Sequence, residues 1–498
     1  MIAPPETMAA ALVLVPAVAG AAAFVIRRHS ARRGLLIAGA LVHALLTADV
    51  CLRGGDPGSS GWLVLDATAR LFLGITSALF LTAAVYALGY LRREPPDERH
   101  DFQEDVLFSN APEAVLTGCL LLFLATMSLV VLSRNLGLLW VAIEATTLVS
   151  APMIYFHRHH RSLEATWKYL LICSVGIAVA LLGNFCLAVA AAKAGQGSSS
   201  LGLDPLVRNA SHLNVPWLKA AFIFLLVGYG TKMGLAPLHT WLPDAHSEAP
   251  SVVSALLSGA LLNCAFVGIL RAQQVLAAAG EAAFGQGLLL ILGLLSIGLA
   301  GVFILGQTDF KRTLAYSSVE HIGILALGVG LGGAGAFGSM LHAVNHSLAK
   351  GMLFLLAGNI LAEYRTKSTA HVRGVPGALP VTGVLWGAGF LAICGLPPFG
   401  LFTSELTILK AALDQGRTGV AVAYLALLAL VFVGLTTTFL GMLQGRTTTP
   451  GAGRSRRESV LEFAPPMALG ALVLAMGVYV PPALSATLHE VARTLGGF

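Results

Sequence analysis

Long apolar runs separated by short polar stretches recur from one end of the 498-residue chain to the other. Each run has about 20 residues or more, the length an α-helix needs to cross roughly 30 Å of hydrocarbon. Fourteen can be drawn, over 8–26, 34–52, 63–91, 114–132, 136–156, 165–192, 218–241, 250–270, 286–306, 313–331, 336–362, 379–412, 419–444 and 464–482. The polar intervals leave no room for a sizeable soluble domain. The pattern therefore predicts an all-α polytopic membrane protein, since a helix satisfies its own backbone groups in lipid. The first run lacks a basic leader and a small-residue cleavage site, and Arg27, Arg28, Arg32 and Arg33 follow it at once. It is expected to remain as a helix rather than be removed as a signal peptide.

Composition supports the same reading: 56% of residues are hydrophobic and 11% charged, too few polar side chains to coat a water-soluble globule of this size. With the N-terminus outside, 18 Lys and Arg fall in inner loops and 8 in outer ones. The positive-inside rule then places both termini outside. The net charge of +6 is spread over short loops rather than gathered in one patch, which argues against a nucleic-acid partner. Cys51, Cys119, Cys173, Cys186, Cys264 and Cys394 occur singly with no Cys-x-x-Cys pair, so they read as packing residues, and any redox centre is expected in a partner. No P-loop glycine signature is present, which excludes ATP hydrolysis as the driving reaction.

Two runs are interrupted, and both carry a charge. Lys232 lies in Gly228-Tyr-Gly-Thr-Lys232-Met-Gly-Leu-Ala-Pro237. Pro237 cannot donate to the carbonyl of Met233, so the helix is expected to break just beyond the lysine. Glu405 follows the second break, Gly395-Leu-Pro397-Pro398-Phe-Gly400. Broken helices at membrane depth are tolerated where they are buried in protein or line a cavity, and two of them five spans apart suggest an internal repeat. Pro397 and Pro398 also fit a plain kink in a packing helix.

Intramembrane ionisable groups are costly and mark ion pathways. Glu144, near the middle of the fifth run, is one; a structural hydrogen-bond anchor is its other reading. The eleventh run places His342, His346 and Lys350 four residues apart on one helix face beside Asn345, the arrangement a hydrogen-bonded proton relay needs. A metal shared by His342 and His346 is the competing reading, but no Glu lies in the turn between them. His321, next to Glu320, reads equally as a relay member or a satisfied core histidine. Between the seventh and eighth runs, Asp244, His246 and Glu248 form either a proton-collecting mouth or a capped turn with Ser247 or Ser251 opening the next helix. Asp66 and Arg70 look like interfacial charges, and Gly332 to Gly338 like a tight turn.

The stretches Trp140-Val-Ala-Ile-Glu-Ala-Thr-Thr, Gly228 to Pro250, Lys311-Arg-Thr-Leu-Ala-Tyr-Ser-Ser and His342 to Lys350 resemble the antiporter-like subunits shared by respiratory complex I, Mrp-type sodium/proton antiporters and energy-converting hydrogenases. The resemblance covers roughly residues 110–440. Within that superfamily the chain looks most like the hydrogenase-4 component F type of group 4 hydrogenase and formate hydrogenlyase complexes. It implies about fourteen transmembrane helices with two inverted five-helix repeats: three N-terminal helices over 1–110, repeats over 111–271 and 286–445, and an inner loop with the last helix over 446–498. It implies proton translocation, with sodium as the other cation, in a bacterial or archaeal cytoplasmic membrane. The chain would be a subunit of an oxidoreductase complex with no redox site or cofactor of its own, the nickel-iron and iron–sulfur centres lying in partner subunits. By motif match, Glu144 and Lys232 would be the coupled pair, Lys350 with its histidines the central relay, and Glu405 the terminal group. Asn263 stands where many relatives have Lys or His; it can hold a water but cannot carry charge. A complex I-like quinone oxidoreductase and an Mrp-type antiporter are the alternative assemblies.

Overall fold

A computed structural model describes residues 5–53, 61–93, 99–101, 106–192, 201–445 and 458–496. The helices are α1 (Pro5–Val25), α2 (His29–Arg53), α3 (Ala67–Arg93), α4 (Glu113–Leu132), α5 (Leu136–Ile154), α6 (His160–Ala192), α7 (Leu203–Arg208), α8 (Val215–Met233), α9 (Trp241–Glu248), α10 (Ser251–Leu256), α11 (Leu262–Ala278), α12 (Ala282–Ile304), α13 (Phe310–Leu331), α14 (Gly333–Tyr364), α15 (Val375–Ala378), α16 (Pro380–Ile393), α17 (Gly400–Asp414), α18 (Thr418–Leu443), α19 (Val460–Val478) and α20 (Pro482–Thr494). A π turn over Leu257–Leu261 joins α10 to α11 in one long helix. Among the described residues the strands are β1 (Arg99–Asp101) and β2 (Val106–Phe108), a small antiparallel ribbon.

Every predicted run coincides with a helix or a broken helix. Among the described residues, eleven helices are long and apolar enough to cross a membrane. The other three runs are the two broken ones, α8–α9 and α16–α17, and α14, whose polar stripe dilutes its apolar character. Three local expectations differ. The segment 243–250 is mostly helix, the end of α9, and Ser251 does open the next helix, α10, as its first residue behind an N-cap at Pro250. The glycine-rich stretch turns only at Gly332 and Gly333 before continuing as α14, because Gly332 (φ 68) and Gly333 (φ 48) alone take left-handed backbone. The amphipathic α20 is an added element: it ties back through Arg70 to Glu490 (3.0 Å) and Gln274 to Thr494 (2.8 Å). Asp66 is not merely interfacial; it accepts two hydrogen bonds from the buried Arg271, at 2.6 and 3.0 Å.

The core is layered. The apolar stretches of α10–α11 and α13 are wholly buried, whereas α18 presents Val422, Leu425 and Val433 outward and α19 presents Leu472 and Leu474, as lipid or a partner requires. Helices approach closely where small residues meet, as in α6 against α8: a Cβ on Gly228 would lie 2.5 Å from the Gly176 carbonyl oxygen. That contact brings Lys232, one turn further along α8, within reach of α5 and α6.

Candidate functional site

The first break ends α8 at Met233, with Gly234 (φ 88) as a left-handed C-cap whose amide donates to the Gly230 carbonyl. Lys232 thus occupies the last turn of a half-helix, where the negative end of the helix dipole favours an ammonium. Its Nζ is fully buried and donates to Thr147 Oγ1 (2.9 Å) on α5 and Tyr169 Oη (2.5 Å) on α6. The Tyr169 ring lies 4.3 Å from the same nitrogen. Both hydroxyls can accept because their own protons are committed elsewhere. Thr147 donates to Glu144 Oε2 (3.2 Å), and Tyr169 donates to Ser150 Oγ, whose proton goes to the Thr146 carbonyl.

Glu144 and Lys232 therefore do not touch; Thr147 stands between them and is bonded to both. The second carboxylate oxygen of Glu144 accepts from Ser174 (2.8 Å). The residues that hold the two charges, Thr147, Tyr169 and Ser174, do not stand out in the sequence, because Ser and Thr in apolar helices ordinarily bond to their own preceding turn.

Beyond the break, His246 on α9 is buried, with Nδ1 donating to the Leu242 carbonyl (2.8 Å) and Nε2 unpartnered. It lies within electrostatic reach of Lys350 and Lys311. Its neighbours along α9 are tied down instead: Asp244 pairs with Lys168 (3.0 Å) and Arg312 (3.1 Å), and Glu248 with Lys367 (2.6 Å). The three groups of this segment thus divide into two ion-paired carboxylates and one buried imidazole. Asn263 donates to the Gly259 carbonyl (2.9 Å) and to Ser347 Oγ (2.8 Å) on α14, leaving its Oδ1 unpartnered beside the π turn.

The third cluster joins α13, α14 and α17. Lys350 Nζ donates to the Leu314 carbonyl (2.7 Å) and to Ser317 Oγ. His342 and His346 stack with ring centroids 6.3 Å apart, and His321 from α13 inserts beside both, at 5.1 and 4.9 Å. His321 Nδ1 lies 3.0 Å from His342 Nε2, and His342 Nδ1 lies 2.9 Å from Ser404 Oγ on α17. Ser404 donates to the Leu401 carbonyl, so its oxygen must accept from His342 Nδ1–H. Neutral His342 then offers a lone pair at Nε2, and His321 donates to it from Nδ1. Both ring nitrogens of His346, His321 Nε2 and Glu320 Oε2 are buried without a protein partner. Buried polar atoms of this kind call for water.

The second break delivers Glu405. After α16 ends, Gly395 takes φ 60 and its Cα lies against the Glu405 carboxyl, where a Cβ would fall 2.0 Å from Oε2. Glu405 sits in the second turn of α17, near the positive end of that half-helix. Its carboxyl borders a crevice of about 360 Å³ between α17 and α18 that also reaches Glu320, Cys394 and Tyr424. Glu320, noticed in the sequence only as a neighbour of His321, lies within electrostatic reach of both Lys350 and Glu405. The structure thus gathers Lys350, His321, His342, His346, Glu320 and Glu405 at one centre and Glu144 with Lys232 at another, with His246 near the first. Among the described residues no direct hydrogen bond joins the two centres.

Comparison with known proteins bears on this arrangement. The family model described as "NADH:quinone oxidoreductase/Mrp antiporter, TM" matches residues 133–433, the span that holds every group above. A hydrogenase-4 component F homolog of Methylacidiphilum infernorum is 38% identical over 441 residues, covering 86% of this chain and 87% of that protein. The NADH-quinone oxidoreductase subunit N of Desulforudis audaxviator is 30% identical, with 94% of each chain covered. A chain of respiratory complex I from Thermus thermophilus superimposes with a TM-score of 0.80 at 25% identity, covering 98% of this chain and all of that one. A chain of the archaeal membrane-bound sulfane sulfur reductase shares the fold, with a TM-score of 0.85 at 20% identity and 98% of each chain covered.

Proposed function

Because the chain belongs to the NADH:quinone oxidoreductase/Mrp antiporter membrane family, we propose that it is the proton-translocating membrane subunit of a redox-driven complex of the hydrogenase-4 or formate hydrogenlyase kind. The observation that carries the reading is the pair of buried charge centres, each supplied by a broken helix. A lone buried charge is costly, so a membrane interior that collects this many ionisable groups points to ion movement rather than to packing. Proton transfer accounts for them. Lys232, His246, Lys350, His346, His321, His342 and Glu405 each hold or pass a proton, and Glu144 senses the charge of Lys232 through Thr147. Water bridges the interval between Lys232 and Lys350, where Asn263 can orient it without carrying charge.

The chain supplies no electron-transfer group in this reading. The driving reaction occurs in attached subunits, whose nickel-iron and iron–sulfur centres move electrons while this subunit moves protons. The greater identity to the hydrogenase-4 component than to subunit N supports the hydrogenase-like assembly over a quinone oxidoreductase. The segments 111–271 and 286–445 form two repeats, one broken helix in each, in a bacterial or archaeal cytoplasmic membrane with both termini outside. Affinity purification through this chain tests the assembly: a nickel-iron hydrogenase large subunit is expected in the eluate, and NADH-binding subunits in its place would refute the hydrogenase assignment. Cysteine labelling near residues 97 and 453, which lie outside the described residues, is expected to find both sites inside.

A further inference from the structure

Among the described residues no carboxylate joins His342 and His346, the two histidines a helical turn apart, in one cluster of ligand atoms. A different trio comes together. His321, His342 and Glu405, from three different helices, place one ligand atom each within 4.8 Å of one another. We propose that this trio is a binding site for Zn²⁺ or a similar divalent transition metal, entering through the crevice beside α18, and that occupancy holds the proton relay shut.

The donor set is right for the ion. Two imidazoles and one carboxylate with room for a water is a common open zinc sphere, at about 2.0–2.2 Å per bond. A tetrahedral ion with such bonds separates its ligands by about 3.3 Å. The two imidazole nitrogens are already 3.0 Å apart, so they need to part only slightly while the carboxylate moves in. Glu405 is free to do so: among the described residues nothing donates a hydrogen bond to its carboxyl, which is 8% exposed and borders the crevice of about 360 Å³. Imidazole donors disfavour sodium and magnesium, which prefer oxygen, so the site selects a transition metal over the cations that antiporters move.

The hydrogen bonds prepare the lone pairs. Ser404 directs its proton to the Leu401 carbonyl and accepts from His342 Nδ1–H, which fixes the His342 tautomer with its lone pair at Nε2. This is the orienting role that outer partners play for metal-bound histidine. His321 Nδ1 carries the proton that the metal displaces, and that proton has a place to go, since His321 Nε2 is buried and unpartnered. The metal therefore replaces the bridging proton between the two imidazoles, and the same exchange interrupts the relay. Metal binding is independent of the proposed function; only the block of proton flow rests on that reading.

The test is zinc binding to the membrane complex purified through a tag on this chain, measured with radioactive Zn²⁺ and X-ray absorption. The full complex is expected to take up one more Zn²⁺ per chain than the Glu405→Gln and His321→Asn forms, with two imidazoles in its shell. Ser404→Ala keeps all three ligands and is expected to weaken binding by ~10-fold or more, as loss of an orienting partner does. His212→Asn, an exposed histidine on another face, should bind as the parent does. In vesicles, micromolar Zn²⁺ should stop proton uptake in the parent and in His212→Asn alike, and Ser404→Ala should need ~10-fold or more Zn²⁺ for the same block. Equal zinc uptake by the parent, Glu405→Gln and His321→Asn forms, at equal yield of folded complex, would overturn the site.

Discussion

The two broken helices hold their charges in opposite ways. At the first, the lysine precedes the break, in the last turn of α8, and hydroxyl groups on α5 and α6 whose own protons are committed elsewhere meet its ammonium. At the second, the glutamate follows the break, near the start of α17, and its carboxyl faces a crevice with no donor upon it among the described residues. Each charge lies at the helix end whose dipole favours it. The surroundings differ more. Around Lys232 the polar atoms are paired, whereas beside Glu405 the side chains of Glu320, His321 and His346 leave four buried atoms unpartnered. A paired shell holds a charge in place; a shell with spare donors and acceptors lets protons move between members. In the proposed reading, the first break is the holding element and the second the conducting one.

The comparison breaks most readily at Lys350. Lys350→Met keeps the volume of the side chain but leaves the Leu314 carbonyl and Ser317 without their donor. Proton flux in vesicles should fall to background while redox turnover persists in part; flux within twofold of the parent would remove Lys350 from the path. Thr147→Val probes the holding shell, since it is nearly the same shape and lacks the hydroxyl that joins Glu144 to Lys232. Hydrogen bonds to charged groups contribute about 1.5–3 kcal/mol, so flux should drop roughly tenfold or more, and Thr147→Ser should restore it.

Gly395→Ala sharpens the conducting side. A Cβ there meets Glu405 Oε2, and φ 60 is unfavourable for alanine, so the variant should lose about 1–3 kcal/mol of stability. Thermal unfolding in detergent would measure it, and an unchanged midpoint would contradict the observed packing. Tyr169→Phe should have the smallest effect. It removes one of two acceptors from Lys232 but keeps the aromatic face 4.3 Å away, so a decline of a few-fold in flux is expected.

The sequence was most informative where period and composition decide the outcome. The fourteen runs, the breaks at Pro237 and Pro397–Pro398, and the stripe of His342, His346 and Lys350 follow from hydropathy, proline chemistry and the 3.6-residue turn. What stays ambiguous or hidden depends on which helices pack together. His321 is a relay candidate in the sequence, but one histidine on a long apolar helix is also a plain core residue; the docking of α13 on α14 places it beside both members of the stripe. Glu320 adjoins it in sequence, but adjacent helical residues point about 100° apart, and its place at the crevice belongs to the α16–α17 break. Thr147, Tyr169, Ser174, Ser317 and Ser404 look like any polar residue in a membrane helix until a charge from elsewhere arrives. The short amphipathic α20 has too little apolar length to register as a span.

The central claim is that Glu144 and Lys232 act as one unit in moving protons, joined through Thr147. Proton uptake in vesicles, measured beside redox turnover in the same preparation, tests it with Glu144→Gln, Lys232→Ala and the double variant at matched abundance. Coupled groups are non-additive, so the double variant should pump no worse than the more severe single one. Both single variants pumping at the parent rate with intact redox activity would contradict the account.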